Sequence, residues 1–218
     1  MAMLAARLIS VAIGYIFGLF QTAYLYGRAN GIDIRKLGSG NAGTTNAMRS
    51  LGKKAGIITF SGDFLKTIAA MLLVWLIFHE KYPEYIKLIQ MYAGFGAVLG
   101  HNYPCYLKFK GGKGIACTGA FLFAFYPPIF LVSITIFALI VIFAKYVSLG
   151  SIVGVAAFVI QLLIYGQTGH LIPEGGRYLY EFYVVGVLFF LLALWQHREN
   201  IKRLLNGTEH KVGGSKAL

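Results

Sequence analysis

Uncharged apolar runs of helical length recur along this chain, and they fix its fold class before any motif is read. The longest, Gly114–Ala144, runs 31 residues without a Lys, Arg, Asp or Glu. Further candidates are Leu4–Tyr26, Gly56–Phe78, Ile86–Tyr106, Val147–Gln167 and Tyr178–Gln196. About 20 predominantly apolar residues are needed for a helix to cross the hydrocarbon of a bilayer. The chain is 57% hydrophobic and only 13% charged, where roughly 25% charged is usual for soluble domains. These patterns predict an all-α polytopic membrane protein, with residues 1–218 forming a single integral membrane domain. The Leu4–Gly27 stretch is longer than a signal-peptide core and is expected to remain as the first span. A net charge of +12 raises nucleic acid as a partner. Basic residues that gather in cytoplasmic loops explain it better, so no nucleic acid is expected.

Charge also orients the chain. Arg28, Arg35, Lys36, Arg49, Lys53 and Lys54 follow the first run; Lys108, Lys110 and Lys113 follow the third; Arg198, Lys202, Arg203, Lys211 and Lys216 lie in the tail. All three groups belong inside by the positive-inside rule. The segments with Glu80, Lys81 and Glu84, and with Glu174 and Arg177, are nearly neutral and belong outside. From Lys113 to Arg198 the chain must then cross an even number of times. One helix over Gly114–Ala144 gives an odd number, and Tyr126-Pro127-Pro128 interrupts that run. Splitting there gives seven transmembrane helices, with the N-terminus outside and the C-terminus cytoplasmic. The piece before Pro127 is short enough to be re-entrant instead.

This topology collects the polar segments on the cytoplasmic face. Residues 38–49 read GSGNAGTTNAMR, a strip of small polar residues in a greasy chain. Its glycines let backbone N–H groups approach a ligand, and Arg49 adds a guanidinium suited to phosphate. The second segment runs from Gly100-His101-Asn102-Tyr103-Pro104 to Lys108 and the Gly111-Gly112-Lys113-Gly114 loop. It fails the P-loop pattern, because Leu107 and Gly114 stand where a glycine and a Ser or Thr are needed. Exposed N–H groups beside lysines still suit an anion. The third segment holds His197, Arg198 and Asn200, with Asn200 one turn after His197. The short Lys145–Ser151 piece is the fourth. Within the second run Asp63 and Lys66 share a helix face, near its start if the helix begins around Ser61. Their plain reading is a self-neutralised pair snorkelling to the interface; an intramembrane functional role is the alternative.

Other chemistries lack their signatures. The histidines (His79, His101, His170, His197, His210) are scattered and form no HExxH, so no metal is expected. Cys105 and Cys117 form no CxxC. No GxSxG elbow and no HxxxxD acyltransferase arrangement occurs. Glu199 and Glu209 read as structural ion-pair partners of neighbouring basic residues. A transporter for a phosphorylated metabolite would also want basic glycine-rich sites. It usually places them at the midplane between repeated halves, and no internal repeat is visible.

Together, GSGNAGTTNAMRSLGKKAG, GHNYPCYLKFKGGKGIA and HREN…NGTEHK resemble the three cytoplasmic motifs of the bacterial acyl-phosphate:glycerol-3-phosphate acyltransferases, a family of integral membrane proteins. The resemblance covers essentially the whole chain, including the KYVSLGS piece. It implies that Ser39, Arg49, His197 and Asn200 are required for activity, that Gly111, Gly112, Lys113 and Gly114 bind glycerol 3-phosphate, and that Glu209 maintains structure. Asn41, Thr45, Asn46, Lys108, Ser148 and Arg198 complete the expected substrate-binding set. The implied reaction moves a fatty acyl group from acyl phosphate to the 1-hydroxyl of glycerol 3-phosphate. Lysophosphatidic acid and phosphate result, in the first acylation of phospholipid synthesis. The expected partners are these two substrates and the lipid bilayer, with no cofactor and no obligate protein partner. The expected location is the bacterial inner membrane, with the active site on its cytoplasmic face. His197 is the candidate base, and a substrate phosphate is its competitor for that role.

Overall fold

The computed structural model describes residues 2–171 and 178–213. Glu174, Arg177 and Lys216, used in the charge argument above, lie outside them. Among the described residues the chain is helical without strands. The α-helices are α1 (Ala2–Gly18), α2 (Thr22–Ala29), α3 (Thr44–Leu51), α4 (Lys53–Phe78) and α5 (Ile86–Asn102), followed by α6 (Ile115–Phe125), α7 (Pro127–Ala144), α8 (Val147–Gln167), α9 (Leu179–Gln196) and α10 (Arg198–Leu205). The chain divides into two compact units, Met1–Phe125 and Tyr126–Leu218.

Among the described residues, five segments are long and apolar enough to cross a membrane: Ala2–Ala29, Lys53–Phe78, Pro127–Ala144, Val147–Gln167 and Leu179–Gln196. The protein is thus an all-helical, multi-pass membrane protein. The 11-residue α6 reaches only about 16 Å at 1.5 Å per residue, well short of the ~30 Å hydrocarbon. The expected interruption falls where the prolines stand. Tyr126 is extended, and Pro127 and Pro128 open α7, where a missing N–H costs no helical bond.

In the first unit α1 packs along α5 through two glycine pairs four residues apart, Gly14/Gly18 and Gly96/Gly100. A Cβ on Gly14 would lie 2.0 Å from the Ala93 carbonyl oxygen, and one on Gly100 would lie 2.1 Å from that of Tyr15. Apolar attraction gains nothing between helices in lipid, so close backbone approach of small residues supplies the contact instead. Helix α4 packs against α1, α2, α3, α5 and α6.

Two expectations change here. The first run is not one continuous helix but breaks between Gly18 and Thr22. In addition, α4 begins at Lys53 rather than near Ser61, which places Asp63 and Lys66 at mid-helix. Their side chains are buried and 2.8 Å apart, so they do not snorkel. The Lys66 ammonium donates to the Phe20 carbonyl at 2.6 Å and the Gly18 carbonyl at 3.3 Å, two acceptors left over by the helix break. The Gln21 amide donates to the carbonyls of Gly18 and His101. Non-helical backbone at membrane depth is tolerated where protein satisfies its polar groups, as here.

In the second unit α8 packs against both α7 and α9, with α10 against α8 and α9. The Gln161 amide reaches the Ser133 hydroxyl of α7 at 3.0 Å, and Phe158 meets Phe189 of α9 edge-on at 6.0 Å.

Candidate functional site

In the first unit, the strip after α2 starts with a tight turn, Ile34–Lys36, capped by Asp33. Asp33 accepts from the Arg35 backbone N–H and pairs with its guanidinium at 2.8 Å. This side-chain bond is the main reason its carboxyl falls to about 2. The strip then wraps around one buried side chain, Asn46 of α3. Its amide donates to the carbonyls of Leu37 and Asn41, both at 3.0 Å, and to Ile34 at 3.3 Å; its oxygen accepts from the Ser39 N–H at 2.9 Å and the Ser50 hydroxyl at 3.4 Å. An amide offers two hydrogens and two lone pairs, and all are engaged. Asn46 therefore shapes the strip. Gly38 must be glycine, because its φ is +56° and a Cβ would lie 2.3 Å from Asn46 Oδ1.

That scaffold leaves Ser39, Thr45 and Arg49 exposed. Asn41 points the other way, its amide 3.5 Å from the Gly111 carbonyl. The structure thus brings the first polar segment to the glycine loop within one unit.

The loop itself differs from the expected cradle. The Gly111 N–H donates to the Asn102 carbonyl and the Gly112 N–H to that of His101. These two donors are spent holding the loop against the end of α5. At the start of α6 the Thr118 N–H donates to the Gly114 carbonyl at 2.8 Å, while the N–H groups before it have no intrahelical acceptor. Lys108 stands exposed on the rim in a left-handed conformation, φ 56°, and Lys113 is half-buried. Directly beneath, Asn102 is buried, and neither its amide nitrogen nor its oxygen has a hydrogen-bond partner among the described residues.

In the second unit one carboxylate organises the tail. Glu209 Oε1 accepts from Asn200 Nδ2 at 2.6 Å and Ser148 Oγ at 2.8 Å, while Oε2 accepts from Arg203 Nε at 2.7 Å. Burial alone would raise its pKa; the hydrogen bonds from Asn200, Ser148 and Arg203 outweigh burial and hold it below the ordinary value. Ser148, expected at the substrate, has its hydroxyl hydrogen turned to this carboxylate. Buried His197 ends α9, its Nδ1 2.8 Å from the Ala193 carbonyl. A carbonyl can only accept, so Nδ1 carries the hydrogen and neutral His197 has its lone pair on Nε2. Arg198 lies over the Trp195 ring at 4.7 Å and donates to the Trp195 carbonyl. Glu199 pairs with Lys202 at 3.3 Å.

Sequence reasoning did not find the organising role of Asn46, although a lone Asn after two threonines at the start of a short helix was visible. It also missed the two glycine pairs, which GYIFG and GAVLG spell out, and the burial of Asp63 and Lys66.

Comparison with known proteins places the chain in a family. A family profile described as glycerol-3-phosphate acyltransferase matches residues 8–207. The glycerol-3-phosphate acyltransferase of Clostridioides difficile is 40% identical over 216 residues, covering 96% of this chain and 97% of the relative. That of Bacillus subtilis is 38% identical over 211 residues, covering 96% and 98%. Among solved structures, PlsY (YgiH), an integral membrane glycerol 3-phosphate acyltransferase, matches in its glycerol 3-phosphate form. The TM-score is 0.80 at 33% identity, covering 95% of this chain and 96% of that one. Its lysophosphatidic acid form matches with a TM-score of 0.78. The chain therefore belongs to the glycerol-3-phosphate acyltransferase family.

Proposed function

We propose that this protein transfers a fatty acyl group from acyl phosphate to the 1-hydroxyl of glycerol 3-phosphate, releasing lysophosphatidic acid and phosphate. The observation that carries the reading is the meeting of the strip that bears exposed Ser39, Thr45 and Arg49 with the glycine loop through Asn41, in a chain of this family. Residues 1–218 act as one domain in the bacterial inner membrane, with seven spans, the N-terminus outside and the chemistry on the cytoplasmic face.

An acyl phosphate is a mixed anhydride and is already activated. The protein must hold two phosphates that repel each other and aim one hydroxyl at the carbonyl carbon. Arg49, Lys108, Lys113 and Arg198 supply positive charge, and the first turn of α6 supplies N–H groups. Ser39 and Thr45 donate hydrogen bonds to phosphate oxygen or to the oxygen that becomes negative in the tetrahedral intermediate. The glycerol oxygen bonds to the carbonyl carbon, the carbon–oxygen bond to phosphate breaks, and the hydroxyl proton passes to His197 Nε2. Asn200 and Glu209 keep the His197 segment in place. No cofactor enters any of these steps.

Purified protein in detergent, given palmitoyl phosphate and glycerol 3-phosphate, is expected to form lysophosphatidic acid and phosphate only when both are present. Turnover with acyl-CoA but not with acyl phosphate would overturn the donor assignment. Near-full turnover by His197→Ala would transfer the role of base to a substrate phosphate.

A further inference from the structure

The glycine loop rests on α5, and the end of α5 rests on a buried charge. Lys66 Nζ lies 2.9 Å from His101 Nδ1 and 2.8 Å from Asp63 Oδ1. His101 Nδ1 is itself 3.5 Å from Asp63 Oδ1. Thr22 adds its hydroxyl to Asp63 at 3.1 Å, and Cys117 of α6 reaches the Asp63 carbonyl at 3.5 Å. Asp63, Lys66 and His101 are 1%, 6% and 3% exposed, so bulk water does not share this network.

From His101 the contacts run directly into the loop. Its carbonyl accepts from the Gly112 N–H at 3.0 Å. Its ring fills the place of a side chain at position 112, where a Cβ would lie 1.9 Å from Nε2. A Cβ on Gly111 would lie 2.0 Å from the His101 carbonyl oxygen. The loop therefore takes its height and tilt from where the His101 ring and carbonyl sit. Lys66 ties that ring to the break between α1 and α2.

Buried ionisable groups inside membrane helices are costly and rarely serve packing alone. We propose that the Asp63–Lys66 pair is a positioning device for the glycine loop, acting through His101, so that an intramembrane ion pair sets the affinity for the phosphate of glycerol 3-phosphate. This rests on the proposed function, since it names what holds that site's loop in shape. Both side chains are buried, 1% and 6% exposed, and they act as positioning residues through His101 rather than as catalytic ones.

The test is Lys66→Met, which keeps chain length and removes the charge. The expected result is a KM for glycerol 3-phosphate raised about tenfold, with kcat within about threefold and the KM for palmitoyl phosphate unchanged. Amide exchange should quicken across residues 108–116 while α9 keeps its protection. An unchanged KM for glycerol 3-phosphate would overturn the proposal. So would equal losses toward both substrates with a lower Tm, the mark of a purely structural pair. If Lys66→Met does not accumulate, the charge-free double variant Asp63→Asn/Lys66→Met carries the same measurements. A double variant that also fails to fold assigns the pair to folding and overturns the proposal. Wild-type protein inactive with every acyl donor is a failure of the proposed function instead, and the parallel wild-type assay separates the two.

Discussion

Asn46 in the first unit and Glu209 in the second each gather a polar segment, but by different means. Asn46 is a neutral amide with five hydrogen bonds, four of them to backbone groups of its own strip and turn and one to the Ser50 hydroxyl of its own helix. Glu209, in the tail after α10, is an anion with three bonds to side chains of α8 and α10. The amide fixes a backbone shape that does not depend on charge or pH. The carboxylate holds side chains in place only while it is ionised. The strip is therefore expected to be sensitive to shape, and the tail to charge.

Arg49 tests where that comparison ends, because it is an exposed charge carried by the shape-held unit. Arg49→Ala is expected to lower kcat/KM by about 10²–10³-fold, the range for losing a donor that stabilises developing charge. Detergent melting should be unchanged, and a fall in Tm would show that Arg49 also builds the fold. Gly38→Ala comes next. It forces a left-handed backbone onto alanine and drives a Cβ into Asn46 Oδ1, so kcat/KM should fall by about tenfold. Activity at the wild-type level would show that the strip tolerates distortion.

Glu209→Gln probes the charge-held unit. It is expected to lower stability by about 2 kcal/mol, the scale for losing charge-assisted hydrogen bonds, read as a Tm drop of about 5 °C at pH 7. The pH dependence follows in sign. Glu209 is held below its ordinary value of 4.5, so its contribution is fully present above that value and fades as pH falls through the lowered one. The wild-type and Glu209→Gln melting curves should converge below pH 4.5; a constant gap down to pH 3 would remove charge from the explanation. Asp33→Asn gives the smallest effect. Its pair with Arg35 is partly exposed, so the loss is about 0.5–1 kcal/mol. That contribution fades as pH falls from 3.8 through about 2.

Much of the candidate site was legible because its residues are anomalies. Gly, Ser, Asn and Thr in a lipid-facing chain, and lysines beside a double glycine, mark polar positions whatever the fold. What each residue bonds to was not legible. Asn46 and Ser148 look like ligand contacts in the sequence, yet their bonds go to neighbours brought close by the fold. The glycine loop advertises free N–H groups, yet two of them are claimed by carbonyls at the end of α5.

Hydropathy and charge determined that the chain is helical and membrane-embedded, and prolines determined where the long run from Gly114 to Ala144 divides. Those properties are local: an apolar run must satisfy its own backbone in lipid, and proline must end the helix before it. Only the tertiary structure decided that the first run breaks at Gly18 and that Lys66 fills the break from another helix. A carbonyl freed from one helix and an ammonium buried in another are each unfavourable alone. They become compatible only when packing brings them within hydrogen-bond distance, a condition no single segment of sequence contains.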